Sequence, residues 1–190
     1  MKPTVAVFYE DSRAVGAPRF PLHDLTLACV ADLTGLPDWR KLDPYIDAIP
    51  KKGNTKVLRA CKTDAPRMKP PHILAVLDGD KLHHLFPTLA RAACKRDVHV
   101  AFRAEVSDAR VEIAVLDDNV ESLISALHAC GLASTAFHAA LAKDVDARDR
   151  VLAAAAVQVG SVRAGLLGSV RSYRRLVERI VRYLPRDALP

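Results

Sequence analysis

His72-Ile73-Leu74-Ala75-Val76-Leu77-Asp78-Gly79-Asp80 is the stretch that decides the fold. Its unbroken aliphatic run, with Pro71 before it and Gly79 after it, is too short for a stable helix. It reads as a strand. What surrounds it, strands separated by helices, suggests a mostly parallel sheet.

Upstream, Thr4 to Tyr9 is a second short apolar strand, closed by Glu10 and Asp11. Phe20 to Leu33 places Leu22, Leu25, Cys29 and Leu33 on one helical face, and Gly35 and Pro37 end it. Trp39, Leu42, Tyr45, Ile46 and Ile49 also have helical spacing, but Pro44 interrupts them, so two short helical turns are expected. Thr55 to Cys61 is expected as an edge strand, because charged residues mark edges. Lys62 to Pro71 reads as a proline-containing loop.

Downstream, Lys81 to Cys94 is expected as a helix with Pro87 inside it. Val98 to Ala104 and Val111 to Leu116 are expected as strands on either side of a polar turn at Asp108. Asn119 to Cys130 is a helix with Leu123, Ile124 and Leu127 inward, closed by Gly131. Beyond Gly131 the chain is alanine-rich and without strand signals. Leu166, Val170, Tyr173, Val177, Ile180 and Leu184 form one periodic stripe that Pro185 stops. The expectation is an α/β protein with a Rossmann-like, mostly parallel three-layer sheet over residues 1–131. A helical extension, 132–190, packs on the same domain.

The 190 residues suffice for one domain with a real core, and the half that are apolar give ordinary globular composition. No apolar run approaches the length of a membrane span, and no signal-peptide pattern opens the chain, so a cytoplasmic location is expected. The four cysteines lie far apart without a CxxC pair, and reduced thiols are expected rather than a zinc site. The net charge of +6 makes an anionic partner worth looking for.

Ligands of parallel α/β sheets bind beyond the carboxyl ends of the strands. Carboxylates follow three of the expected strands: Glu10 and Asp11, then Asp78 and Asp80, then Asp117 and Asp118 with Asn119 and Glu121. Asp78 and Asp80 are two apart, so in extended backbone they leave the same face, and Gly79 allows a tight turn between them. Clustered carboxylates repel unless a cation or proton intervenes, and hard oxygen donors suit magnesium or manganese. For any one of these acids turn formation or helix capping is the simpler explanation, and it is the joint placement of three groups that points to a site.

A strand ending in Glu10, followed later by a strand ending in Asp78-Gly79-Asp80, resembles the TOPRIM domain of topoisomerases, primases and OLD-type nucleases. Val115-Leu116-Asp117-Asp118-Asn119-Val120-Glu121 is similar to a strand-to-helix segment of small bacterial TOPRIM-like proteins. The resemblance spans roughly residues 1 to 130, with Asp11 and Ser12 standing where the family commonly has glycine. It implies Glu10 as general acid or base, with Asp78, Asp80 and Glu10 holding magnesium. It also implies a nuclease or phosphodiesterase, with a partner subunit supplying substrate recognition in a larger nucleic-acid-processing or defence system. The rival is a TOPRIM-like or receiver-like scaffold without catalysis.

Cations cluster at Lys51, Lys52, Lys56, Arg59 and Lys62, a candidate contact for a phosphate backbone. A second group lies on the last helix at Arg171, Arg174, Arg175, Arg179 and Arg182, where an ordinary solvated face is the simpler expectation. No P-loop, dinucleotide fingerprint, zincin motif or nucleophile elbow occurs.

Overall fold

A computed structural model of the chain describes residues 2–10, 19–87, 89, 95–117, 119–158 and 160–190. In chain order the elements are β1 (Val5–Tyr9), α1 (Pro21–Thr34), β2 (Ile46–Pro50), α2 (Asn54–Thr63), β3 (His72–Asp78), α3 (Leu82–Leu85), α4 (Lys95–Glu105), β4 (Val111–Leu116), α5 (Val120–Ala129), α6 (Phe137–Leu141), α7 (Val145–Val157), α8 (Ser161–Ser169) and α9 (Arg171–Tyr183). Contacts divide the chain into two compact units. One joins Met1–Ser12 to Ile46–Asn119, and the other joins Arg13–Tyr45 to Val120–Pro190. The boundary therefore differs from the expected division at 131, because α1 and α5 belong with the later helices.

The first unit is α/β. Its four strands form an all-parallel sheet in the order β2-β1-β3-β4. Apolar continuity makes β1 and β3 central: Val5 to Phe8 and Ile73 to Ala75 are completely buried. Ala6, Phe8, Ile73, Ala75 and Leu77 share a core with Val57, Leu58 and Cys61 of α2 and with Val98 and Phe102 of α4.

Three expectations are corrected here. Ile46–Pro50 is an edge strand rather than a helical turn, and its terminal proline is tolerated because it needs no ladder partner on the outer side. Thr55 to Cys61 lies in a helix. With Asn54 included, the buried positions Asn54, Val57, Leu58 and Cys61 repeat at helical intervals, which puts Lys56 and Arg59 outside. Val98 to Ala104 is also helical. Its apparent alternation dissolves because Val100 is 62% exposed while Val98 and Phe102, one turn apart, are buried. The helix expected over Lys81 to Cys94 is present only as α3 at its start, and residues 90–94 lie outside the described residues.

In the second unit all described elements are helical. Helix α1 begins with Pro21 at its first position and stops at Gly35, whose φ of 74° suits a left-handed cap. The final periodic stripe is two helices broken at Val170 rather than one. Arg163 bonds both oxygens of Asp32, at 2.6 and 2.9 Å, and donates to the carbonyls of Ala155 and Ala156 at the end of α7. The hydroxyls of Thr26 and Tyr173, both buried, lie 3.1 Å apart and tie α1 to α9. No single helix among the described residues is long and apolar enough to cross a membrane.

Candidate functional site at the carboxyl edge of the sheet

In the order β2-β1-β3-β4, the connection from β1 leaves toward β2 and that from β3 leaves toward β4. The carboxyl ends of β1 and β3 therefore flank the topological switch point, where parallel α/β sheets bind ligands. Register pairs Tyr9 with Val76, which brings Glu10 alongside the end of β3.

The contact there is specific. The Asp78 backbone N–H donates to Glu10 Oε2 at 3.0 Å and to Asn54 Oδ1 at 3.2 Å. Asn54 Nδ2 in turn donates to the Asp78 carbonyl at 3.1 Å. One buried side-chain amide thus grips both polar groups of the Asp78 backbone, as a neighbouring strand would. The loop that delivers Asn54 is stitched to β1: Lys51 N–H donates to the Tyr9 carbonyl and Gly53 N–H to the Glu10 carbonyl. Lys52 (φ 57°) and Gly53 (φ 111°) make the reversal that starts α2. Asn54 was missed in the sequence because nothing in a lone Gly-Asn pair points across the sheet to residue 78.

Gly79 fixes the other side of the bend. A Cβ built there would lie 2.5 Å from the Leu116 carbonyl oxygen and 2.9 Å from that of Asp117. Only glycine lets the Asp-Gly-Asp turn close against the end of β4. Asp117 follows directly, and Asn119 is half-buried beyond it. Asp80 sits on a short 3-10 turn and is exposed.

The structure thus brings Glu10, Asp78 and Gly79 together and places the start of Asp117 against them. Asp11 and Asp118 lie outside the described residues. Glu121 is in the first turn of α5, in the second unit.

The basic segment is less uniform than its sequence. Lys51 Nζ bonds Asp64 at 2.7 Å and lies 5.2 Å from the centre of the Phe8 ring, and Lys62 pairs with Glu105. The bond from Lys51 holds the Asp64 carboxyl below its ordinary value. Lys52, Lys56 and Arg59 are exposed and have no ion-pair partner among the described residues. Cys29, Cys61 and Cys130 are free thiols, and burial pushes Cys29 and Cys61 up to about 12, which leaves them unreactive. Cys94 lies outside the described residues.

Among the described residues, no three His, Cys, Asp or Glu side chains are grouped as a metal cage. Magnesium does not require one: it commonly takes one or two carboxylates and completes its shell with waters and substrate oxygens. At this edge the Glu10 carboxylate meets the Asp78 backbone, and Asp80 is exposed on the turn that follows.

The fold and edge define a parallel α/β protein with an acidic switch point. No protein-family model matches the chain, and comparison with curated proteins and with solved structures gives no match.

Proposed function

We propose that this protein is a divalent-metal-dependent phosphodiesterase or nuclease of TOPRIM type. The observation that carries the reading is the meeting of Glu10 with the Asp78 backbone at the β1/β3 switch point, 3.0 Å from oxygen to nitrogen. Glu10, Asp78 and Asp80 are the residues that would hold magnesium or manganese, which supplies charge neutralisation on a phosphodiester and activates water. Glu10 Oε2 is held by a backbone N–H, an arrangement that aims the carboxylate and suits proton transfer at its other oxygen. Lys52, Lys56 and Arg59 then offer cations to the phosphates flanking the scissile bond. A partner subunit that selects the substrate belongs to the same reading.

The test is cleavage of mixed DNA and RNA with magnesium or manganese. Glu10→Gln should lower the rate by about 10²–10⁴-fold, the usual contribution of general acid–base catalysis. Asp80→Asn, at an exposed position, should weaken metal dependence without unfolding the chain.

A second reading, a non-catalytic binding or scaffold protein, is favoured by one observation: the lack of a three-donor group among the described residues. A thermal melt separates the two. Millimolar metal that binds only the native state must raise the midpoint. No shift, together with no cleavage, leaves the scaffold.

A further inference from the structure

We infer that the outer face of α9 is a second polyanion-binding surface, which takes the phosphate backbone of a nucleic acid without reading its sequence. The inference stands apart from the acidic edge and rests on residues of the second unit alone.

Charge is the first observation. From Arg171 onward the chain carries six arginines, Arg171, Arg174, Arg175, Arg179, Arg182 and Arg186, against two acids, Glu178 and Asp187. That surplus of four is most of the +6 of the whole chain. Chemistry is the second: the segment has no lysine. A guanidinium presents a planar fork that bonds a phosphate through two N–H groups, which an ammonium cannot do.

Arrangement is the third. Arg174 is occupied by Glu178, at 2.8 Å, and this is the only acid in α9. Arg171, Arg175 and Arg182 are exposed. At 100° per residue they fall within an arc of about 40°, and they span about 16 Å along the axis at 1.5 Å per residue. Arg186, also exposed, continues past the helix end. The result is a row of guanidinium groups on a rigid rod, with Glu178 beside it between Arg175 and Arg182 and neutralised by Arg174.

Burial of the opposite face chooses among partners. Tyr173, Leu176, Val177 and Ile180 are at most 1% exposed. A basic amphipathic helix that enters a membrane surface, or fills a partner's groove, must present its apolar face. Here that face is already used inside the unit. What remains is a purely polar row, suited to a regularly charged rod rather than to a bilayer.

The test compares Arg171→Gln/Arg175→Gln/Arg182→Gln with the native protein. Anisotropy of a short labelled duplex and single strand is read across a range of salt, alongside sedimentation with phosphatidylserine vesicles. Loss of three phosphate contacts should flatten the slope of log affinity against log salt by about 2 to 3. Circular dichroism should stay native, and each single substitution should remove about one-third of the effect. Lys52→Gln/Lys56→Gln/Arg59→Gln is the control on the other unit: a flattened slope here alone would sustain the acidic-edge reading and overturn the α9 surface. An unchanged slope in the α9 triple variant, or vesicles binding more tightly than nucleic acid, also overturns it.

Discussion

Glu10 in the sheet unit and Asp32 in the helical unit are both partly buried carboxylates, and they are satisfied in opposite ways. Asp32 has both oxygens taken by Arg163, whose remaining N–H groups close the end of α7. Glu10 receives one backbone N–H, which it shares with Asn54, and pairs with no cation among the described residues. A carboxylate matched on both oxygens by a buried guanidinium has its charge neutralised and its orientation fixed, which makes it a structural part. A carboxylate aimed by half of a backbone hydrogen bond keeps acceptor capacity for a ligand. The difference separates framework from candidate chemistry within one chain.

Arg163→Ala should produce the largest loss of stability, about 3 kcal/mol, because it removes a buried side chain and leaves the carbonyls at the end of α7 without their donor. Trp39, the only tryptophan, lies in the same unit, so urea unfolding followed by its fluorescence reads that unit directly. A loss below ~1 kcal/mol would show that the Asp32 pair is peripheral and erase the contrast with Glu10.

Gly79→Ala comes next, at about 1–3 kcal/mol, the usual cost of forcing atoms into a packed site. The carbonyls of Leu116 and Asp117 cannot yield without moving β4. Circular dichroism melts check the stability. On the proposed metal-dependent reading, titration of the same variant with magnesium should also show weaker binding than the native protein.

Glu10→Ala should cost little more than about 1 kcal/mol, since Asn54 still accepts from the Asp78 N–H, and Asn54→Ala should cost more, since it also takes away a donor to the Asp78 carbonyl. Together they should exceed the sum of the two, because a part-buried donor is then left unmatched. Simple additivity in a double-mutant cycle would mean that the two acceptors do not share that N–H.

The smallest effects are those of pH, and two carboxyls, Asp64 and Asp24, should differ in sign. Asp64 is held low by Lys51, so it stabilises the fold above the ordinary carboxylate value of 3.8, and that contribution is lost as pH falls through its folded value. Burial raises Asp24 against the bonds from Arg19, so its ionised form costs stability, and the cost is relieved as pH falls through the raised value. Acid titration of Asp64→Asn and Asp24→Asn against the native protein should give opposite trends.

The sheet was legible where the chemistry was one-sided. Val5 to Tyr9, His72 to Leu77 and Val111 to Leu116 are strands as expected, because apolar continuity has few other uses at that length. Errors arose where two periods coexisted. Val98, Val100 and Phe102 alternate as a strand does, while the burial that decides the matter follows the helix. The meeting of Glu10 with Asp78 could be expected from strand ends alone. Asn54 could not, since its role depends on a reversal at Lys52 and Gly53 that local sequence hardly encodes.

Each unit is assembled from two separated stretches of chain, and this has a consequence for synthesis. On a ribosome adding about 5–20 residues each second, β1 emerges first yet is a central strand whose neighbours begin at Ile46 and His72. Helix α1, whose buried residues are mostly apolar, waits longer, until Val145 and the helices beyond it have appeared. For several seconds both are hydrophobic segments without a surface to cover. The nascent chain should therefore lean on a holding chaperone early, and release from it should come only after the last helices are made.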